Sequence, residues 1–377
     1  MRFPKLLFLA GGLALVLGLA AACGEAASAP TATAKPVEPA PTSSPVVPVQ
    51  PAPTSSPVPA QPTSTPVPNP FAEVSGIIDP TNHGWPREVE GLNGRVTITA
   101  KPLRIHTVSL GHDELTYALV PAERVVAVGT FTQKPMNSNV AELAKVVPGI
   151  SRDAEQIVSH TPDIVIASPF AKEELLTALG NVGIPVVQTE LHNDPQGRIL
   201  DILFLGYVYG EEERAQQLVA EVQARFDDLG ALTAVHSEST RPRVLSLTSY
   251  SDKIYTAGSR STEGNIIVAA GGINAAAEAG IERNDTISLE GVISMSPDVI
   301  ILPQPPDGGG EEFRQRLLAD AALAEIPAIK EGRIYLVAPR FFTTLSFWNI
   351  RGAEELAKLL SPDDLGDREF PPFSFPE

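Results

Sequence analysis

The 377-residue sequence contains a single cysteine and a deficit of positive charge. One cysteine excludes an intramolecular disulfide and a thiolate metal cluster. The formal net charge of −17 argues against a nucleic-acid-binding protein, because such a protein needs a basic face to displace phosphate counterions. Downstream of residue 22, no apolar stretch is long enough to predict a transmembrane helix.

Motifs of the common enzyme classes are also missing. The sequence has no G-x-S-x-G elbow, no P-loop, no H-E-x-x-H and no G-x-G-x-x-G after a predicted strand. The glycine run Gly308–Gly310 is followed by Glu311 and Glu312, which would repel a phosphate. We therefore expect no catalytic residues and no cofactor. The histidines, none of them paired at a spacing typical of metal ligands, are His83, His106, His112, His160, His192 and His236.

The N-terminus has the layout of a secretory signal: Arg2 and Lys5, an apolar run from Leu6 to Leu19, and three alanines directly before Cys23. It resembles a bacterial lipoprotein signal, in which that cysteine is lipidated and becomes the new N-terminus. In such signals a leucine usually stands three positions before the cysteine, whereas here that position is Ala20. An ordinary secreted protein with an incidental cysteine, or an uncleaved anchor, is the alternative. We predict a signal peptide at 1–22 and a lipidated Cys23.

Residues 23–70 are predicted to form a disordered tether. The stretch is rich in Pro, Ser and Thr, has almost no charge, and repeats the phrase PAPTSSPV at Pro39–Val46 and Pro51–Val58. Such a composition cannot bury enough apolar surface to fold. In polyproline form, at ~3.1 Å per residue, it could reach on the order of 100 Å. We expect it to hold a folded body away from a membrane surface.

The centre of the chain predicts one long helix, Glu211 to about Val235. Apolar residues recur there at steps of three and four from Ala215 to Leu229, which places them on one stripe of a helix. Glutamates occupy the predicted first turn, where the helix dipole favours negative charge. We expect this helix to be a rigid connection between two lobes.

Segments on both sides of this helix alternate strand and helix patterns. Alternation at this spacing predicts α/β lobes with parallel sheets. We predict an N-terminal lobe at 71–210, the connecting helix at 211–236 and a C-terminal lobe at 237–377. The predicted strands, after a hairpin with a turn at Asn93-Gly94, are Arg104–Leu110, Arg124–Gly129, Asp163–Ala167, Pro185–Gln188, Arg243–Leu247, Asp298–Leu302 and Gly332–Val337.

The two lobes share a phrase of twelve residues. EQIVSHTPDIVI, which begins at Glu155, aligns without gaps on EGVISMSPDVII, which begins at Glu290. In each case a glutamate opens a short amphipathic helix, a proline follows it, and an aspartate begins a buried strand. Two lobes of one ancestry, joined by one helix, explain this repeat.

The chain resembles the substrate-binding proteins of bacterial ABC importers, in the class that serves ferric siderophores, cobalamin and haem. The resemblance covers Gly84 to about Leu360. It is carried by the order and spacing of PREVEGLNGRVTI, KPLRI, RVVAVG, both glutamate–Pro-Asp phrases, AAGGIN and IPAIKEGRIYLV. It implies two Rossmann-like α/β lobes with central parallel sheets, joined by one long α-helix, with the ligand in the cleft between the lobes.

The resemblance also implies partners. In the family, a glutamate on each lobe docks into arginines of the membrane permease, and these map onto Glu155 and Glu290. Two exposed carboxylates at symmetric places suit a two-fold permease dimer, which works with a cytoplasmic ATPase. For either glutamate alone, the simpler interpretation is a charge that stabilises the start of a helix. We expect a monomer, anchored by lipid at the extracytoplasmic face of the cell membrane, with no nucleic-acid partner.

Candidate ligand-binding residues lie in the loops beyond the carboxyl ends of the predicted strands, where open α/β sheets bind ligands. Aromatic rings can cover the organic faces of a metal chelate, and guanidinium groups can pair with its oxygens. Several of these aromatic residues could equally belong to the core. The candidates are His112, in the predicted loop Gly111–Glu114, and Thr130, Phe131, Phe170, Tyr250, Arg260, Arg340, Phe341 and Trp348.

The sequence leaves the ligand open. A ferric siderophore carries an iron that is already coordinated, so its binding needs no metal ligands from the protein. This agrees with the scattered histidines and makes a ferric siderophore the first expectation. Cobalamin is an alternative, and so is haem, for which His112 or Tyr250 would be the axial ligand. A tethered surface sensor or adhesion protein without an importer is the other function that the tether allows.

Overall fold

The structure is a computed structural model that describes residues 69–150, 152–234 and 240–376. The predicted signal peptide, Cys23 and nearly all of the predicted tether lie outside the described residues, so those predictions stand untested. Within the described part, no helix combines the length and the hydropathy that a bilayer crossing needs.

The N-terminal lobe is a parallel β-sheet covered by helices. Its strands run in the order β5-β4-β3-β6-β7, and the hairpin β1–β2 lies beside the last of them. The elements are β1 Arg87–Gly91, β2 Gly94–Ile98, β3 Ile105–Thr107, α1 Leu110–Leu119, β4 Val125–Gly129, α2 Ala141–Ala144, β5 Gly149–Ile150, α3 Ala154–Ser159, β6 Ile164–Ala167, α4 Glu173–Asn181, β7 Val186–Gln188 and α5 Pro195–Tyr209.

The predicted hairpin is confirmed, and its turn covers the edge of the sheet. Leu92 N–H donates to the Gln188 carbonyl at 2.7 Å, and the Asn93 side chain bonds to both Val186 O and Gln188 N on β7. Gly94 has a φ of +96°, a conformation that glycine adopts without a steric penalty. The turn thus occupies backbone groups of β7 that would otherwise be an open edge.

The connecting helix α6 extends over Glu212–Thr233 and confirms the predicted long helix. Gly230 lies inside it and does not end it. The predicted stripe is buried, since Ala215, Leu218, Val222 and Leu229 are almost inaccessible to solvent. At ~1.5 Å per residue the helix is about 33 Å long.

The C-terminal lobe has a mixed sheet in the order β11-β9-β8-β12-β13, with β10 also paired to β8. The strands β8, β10, β12 and β13 are parallel, whereas β9 is antiparallel to its neighbours. The elements are β8 Arg243–Tyr250, β9 Lys253–Ala257, α7 Thr262–Ala269, β10 Ile273–Asn274, α8 Ala275–Glu278, β11 Asn284–Ile287, α9 Leu289–Met295, β12 Val299–Leu302, α10 Gly310–Ala319, α11 Pro327–Lys330, β13 Ile334–Leu336, α12 Pro339–Phe342, α13 Asn349–Leu360 and α14 Pro362–Leu365.

Two predicted strands differ from the structure by three residues at their carboxyl ends. The first core strand ends at Thr107, because the chain enters α1 at Leu110 where a loop was predicted. The first strand of the C-terminal lobe continues to Tyr250, because it forms a hairpin with β9 that the sequence did not predict. The residues of that turn, Ser251 and Asp252, both have positive φ.

A single hydrophobic cluster joins the two lobes through the connecting helix. It contains Ile105 and Ile166 from the first sheet, Val222 from α6, and Val244 and Ile301 from the second sheet. The two lobes therefore share a continuous core along α6.

The C-terminal tail closes over this shared core. Phe373 is buried, and its ring packs edge-on against Phe347 at 4.7 Å and against Trp348 at 5.0 Å between centroids. Further along the tail, the Ser374 carbonyl accepts a hydrogen bond from Arg214 of α6 at 2.7 Å. The tail thus ties α13 to the connecting helix.

Candidate functional site

Loops at the carboxyl ends of the strands touch across the two lobes, and we call this region of contact the cleft floor. Asn139, in the loop after β4, donates from Nδ2 to the Arg340 carbonyl at 2.7 Å, and Arg340 N–H donates to the Met136 carbonyl at 3.2 Å. Loops that follow β4 and β13 therefore meet at one end of the floor, at the carboxyl ends of those strands.

A second crossing uses the loop between β7 and α5. Asn193 donates from Nδ2 to the Arg260 carbonyl at 3.4 Å and accepts from Thr262 Oγ1 at 3.1 Å. Its carbonyl also accepts from Asn265 Nδ2 at 3.2 Å. One asparagine therefore joins the N-terminal lobe to the start of α7.

Glu114 of α1 fastens the lobes underneath this floor. Its carboxylate accepts from Thr344 Oγ1 and Ser346 Oγ of the C-terminal lobe, each at 2.5 Å, and from the backbone and side chain of Asn139 at 2.8 and 2.9 Å. Burial raises the pKa of Glu114, while these donors act in the opposite direction. No sequence pattern predicted this buried carboxylate.

Three predicted aromatic candidates are strongly exposed at the carboxyl ends of strands. Phe131 follows β4 and is 61% exposed, and Phe170 follows β6 and is 72% exposed. Tyr250 ends β8 in the other lobe and is 73% exposed. Lys134 Nζ lies 4.9 Å from the centre of the Phe131 ring. Large exposed rings on both lobes, next to a cleft, are typical of a ligand-binding surface.

The polar candidates have mixed positions. Thr130 and Arg260 are exposed. Arg340 is half-buried, and its guanidinium lies over Phe341, 4.8 Å from the ring centre, with Nη1 3.4 Å from the Pro135 carbonyl. Phe341 itself packs against the shared core. Arg260 is the candidate cation left most open to a ligand.

Two candidates are corrected by their burial. His112 is wholly buried inside α1, with Nδ1 2.8 Å from Ser109 Oγ, and burial lowers its pKa to about 3. It cannot reach a ligand in this structure. Trp348 is also buried, stacked on Phe347 and covered by the tail residues Phe373 and Phe375. Both are parts of the core.

A neighbouring buried carboxyl, Asp113, supports the loop that carries Phe131. It accepts from Thr132 Oγ1 at 2.6 Å and from Gly129 N–H at 3.0 Å, and it also bonds to Thr107 Oγ1. Burial raises its pKa to about 7. Asp113 therefore fixes the first residues after β4, from which the Phe131 ring projects.

The repeated phrase has the same geometry in both lobes. Glu155 and Glu290 are exposed and occupy the second position of α3 and α9. The helices are capped alike, by Asp153 accepting from Gln156 N–H at 2.9 Å and by Ser288 accepting from Gly291 N–H at 3.2 Å. Hydrogen bonds to the Glu290 carboxylate from its own backbone N–H and from the Ser288 hydroxyl lower the pKa of Glu290.

The ends of the phrase match as well. Thr161 and Ser296 both have a φ of +43°. Asp163 and Asp298 each donate from their N–H at 2.8 Å to the carbonyl of an arginine at the start of a sheet strand, directly before β3 in one lobe and at the first residue of β8 in the other. Those arginines, Arg104 and Arg243, donate back to carbonyls at the end of α3 and α9, namely His160 at 2.6 Å and Met295 at 2.9 Å.

This geometry places both glutamates at one edge of the molecule. The helices α3 and α9 each run back toward the amino end of the strand that follows, so each begins at the carboxyl edge of its sheet. That is the edge on which the cleft loops lie. In the described residues, no group of three or more His, Cys, Asp or Glu side chains is arranged to hold a metal ion.

Residues 105–340 match the periplasmic binding protein family. The chain belongs to this family. It is similar to the uncharacterized ABC transporter substrate-binding lipoprotein YvrC of Bacillus subtilis, with 28% identity over 279 residues that cover 72% of this chain and 84% of the relative. The cobalamin-binding protein of Halobacterium salinarum is 27% identical over 216 residues, which are 57% of each chain.

Among solved structures, the chain is similar to the periplasmic heme-binding protein RhuT from Roseiflexus sp. RS-1. The TM-score is 0.60 at 28% identity, and the match covers 69% of this chain and 98% of that one. The predicted fold, α/β lobes with a cleft between them, is the fold of this periplasmic binding protein.

Proposed function

We propose that this periplasmic binding protein is the extracytoplasmic solute-binding component of an ABC importer. It captures a metal chelate, a ferric siderophore in the first place, and presents it to a permease dimer. Its relative in Bacillus subtilis carries the name of an ABC transporter substrate-binding lipoprotein, which supports the importer and the lipid anchor. Binding involves no chemical step.

The observation that carries the ligand class is the set of exposed rings at the carboxyl ends of strands in both lobes. Phe131 and Phe170 extend from one lobe and Tyr250 from the other, and Arg260 adds a cation near the floor. Covering such rings with a ligand is favourable by ~25 cal/mol for each Å² of apolar surface removed from water. They suit a bulky ligand with organic faces and anionic oxygens.

Cobalamin and haem remain alternatives, because the relatives include proteins named for each. For haem, Tyr250 is the remaining axial candidate, since His112 is buried. Titration calorimetry of the purified protein with a ferric siderophore panel, cyanocobalamin and hemin tests the proposal. Saturable binding of at least one is expected, and failure of all three would refute the chelate proposal.

Docking by Glu155 and Glu290 is tested separately in cells. Reversal of both charges, Glu155→Lys with Glu290→Lys, should abolish uptake and leave ligand affinity unchanged, because both side chains are exposed and make no contact with the cleft floor. A matched control reverses Glu123 and Glu331, exposed carboxylates that precede β4 and β13 at the opposite edge of each sheet. Unchanged uptake in the first double variant would refute docking.

Uptake measurements also separate an importer component from a tethered sensor or adhesion protein. An importer component transfers its ligand into the cell, so deletion of the protein should stop accumulation of a radiolabelled ligand. A sensor would bind the ligand without changing its uptake. The symmetric placement of the two glutamates favours the importer.

A further inference from the structure

His192 is held in place by neighbouring residues at the cleft floor, although the sequence offered no reason to select it. It lies in the loop between β7 and α5, directly before Asn193, which makes the second crossing between the lobes. The same loop lies at the carboxyl edge of the first sheet, as do the loops of Phe131 and Phe170. His192 is thus placed where a ligand in the cleft would lie.

Asp201 holds the imidazole in one orientation. Asp201 Oδ1 lies 2.7 Å from His192 Nδ1, and its Oδ2 accepts from the His192 backbone N–H at 2.9 Å. The Asp201 side chain is only 4% exposed, whereas the His192 side chain is 40% exposed. A buried carboxylate therefore fixes the inner nitrogen, and the ring remains open to solvent on its other edge.

Gly197 makes room for this ring on the first turns of α5. A Cβ at that position would collide with Cβ, Cγ and Cδ2 of His192. Gly197 and Asp201 are four residues apart, so they lie on the same face of the helix. The ring lies along this face, with its Cδ2 edge over the glycine and Nδ1 at the carboxylate. Among the residues that the structure describes, none bonds to Nε2.

The carboxylate also favours the charged imidazolium. The hydrogen bond to Asp201 raises the pKa of His192, and partial burial opposes that effect. When Nδ1–H is held by Asp201, protonation makes Nε2 a charged donor. Arg260, on the facing lobe, has its carbonyl in contact with Asn193, the next residue along from His192. Two residues with basic side chains, one from each lobe, therefore lie at one crossing point of the floor.

We propose that His192 and Arg260 form an anion clamp, which binds an anionic oxygen of the ligand between the two lobes. This inference rests on the proposed function and assigns a contact within the same cleft. The ligand chemistry is a carboxylate, catecholate or phosphate oxygen of the chelate. Because the clamp uses one residue from each lobe, the ligand contacts both lobes at once.

Other ionisable groups surround the clamp and must be separated from it. Glu263 in particular is buried in α7, and burial raises its pKa to about 7, so it titrates in the same pH range. A pH dependence of binding in the unmodified protein is therefore insufficient, and the test needs a variant at His192 itself. The charged groups near His192 are Asp201, Asp194 and Arg198 of α5, Glu190 of the same loop, and Arg260 and Glu263 of the facing lobe.

His192→Asn isolates Nε2 from the structural role of the ring. The Asn Nδ2 group can take the position of Nδ1 and donate to Asp201, while the outer nitrogen is lost. His83→Asn is the matched control, because His83 also faces a carboxylate, Glu212 at 3.6 Å, but lies at the far end of α5 beside Tyr207. Arg260→Gln removes the other half of the clamp.

Calorimetry on the full-length protein should use an anionic ferric tris-catecholate and a neutral ferric tris-hydroxamate, with hemin and cyanocobalamin in parallel. For the anionic ligands, affinity should fall as the pH rises through the pKa of His192. His192→Asn and Arg260→Gln should each weaken binding about tenfold or more near pH 6, the size expected for a hydrogen bond between charged groups. His192→Asn should also flatten the dependence on pH, and His83→Asn should behave as the unmodified protein.

Nuclear magnetic resonance gives a second measurement that does not depend on affinity. A gallium tris-catecholate, a diamagnetic substitute for the ferric complex, should raise the pKa of the His192 ring on binding. Saturable binding with no change of that pKa, or equal losses for anionic and neutral chelates, would overturn the clamp and leave the proposed function intact. Failure of every chelate to bind would overturn both.

Discussion

Glu354→Gln should destabilise the folded protein strongly, because it leaves a buried guanidinium without its counter-charge. Arg225 of α6 donates to both oxygens of Glu354 on α13, at 2.8 and 2.7 Å. The two side chains are 10% and 1% exposed. Arg225 also lies over the Phe373 ring, 4.1 Å from its centre. This pair joins the central helix to α13 through two charged hydrogen bonds.

The magnitude follows from the asymmetry of buried ion pairs. Removing one partner of such a pair costs about 3–5 kcal/mol, whereas replacing both by apolar residues of similar volume is often nearly neutral. The folded body has roughly 300 residues, and unfolding entropy is about 2.1 cal/mol/K per residue. The single variant should therefore lower Tm by about 5–8 °C. Arg225→Met with Glu354→Leu should restore only part of that loss, because Arg351 also donates to Glu354, at 3.1 Å, and loses this partner.

Scanning calorimetry of the two single variants and the double variant is the assay. Glu355→Gln is the control, because Glu355 pairs with Arg351 at 3.4 Å on the exposed side of the same helix, and an exposed i,i+4 pair contributes only about 0.3–0.5 kcal/mol. If the losses of the two single variants simply added in the double variant, the residues would act independently. That result would refute the argument from a buried pair.

Three further predictions concern stability and motion. Because burial raises the pKa of Asp113 from 3.8 to about 7, the folded state keeps a proton that the unfolded state releases, and stability falls as the pH rises from about 4 to 7. In urea unfolding, the Asp113→Asn variant should lack on the order of 4 kcal/mol of this pH-dependent loss of stability. A difference in unfolding free energy between variant and unmodified protein that stayed constant with pH would contradict this. Thr161→Gly and Ser296→Gly should each stabilise the protein by about 0.5–1 kcal/mol, since both residues adopt a left-handed conformation that disfavours a Cβ. If one variant stabilised the protein and the other destabilised it, the two positions would not be equivalent. Ligand should change the small-angle scattering curve only slightly, and a large fall in the radius of gyration would show a hinge that the shared core does not permit.

The sequence predicted the elements whose signals are local. The stripe of α6 repeats over several turns, and the paired phrases from Glu155 and Glu290 identify each other without any tertiary information. Strand β9 was missed because its hairpin turn, at Ser251 and Asp252, uses positive φ without a glycine or an asparagine. Helix α5 was missed because it is buried on nearly all sides, so its apolar residues show no clear stripe.

Site residues were predicted less well, because exposure depends on contacts that are distant in sequence. His112 is buried because a helix begins where a loop was expected. Trp348 is covered by the tail residue Phe373, a contact that no local sequence pattern indicates. His192 was overlooked for a related reason. Its partner Asp201 is nine residues away, and that spacing has meaning only once α5 is known to begin at Pro195.

The central helix does more than connect two independent lobes. Its buried face belongs to one core with both sheets, and Arg225 and the C-terminal tail fasten its outer side to α13. Relative motion of the lobes must therefore shear packed side chains, for which close-packed interiors have little tolerance. The cleft floor is fastened as well, by the Glu114 carboxylate beneath Asn139. The exposed rings and the Arg260 side chain keep their freedom, whereas His192 is held by Asp201. We therefore expect recognition of the ligand to depend on these groups far more than on large movements of the lobes.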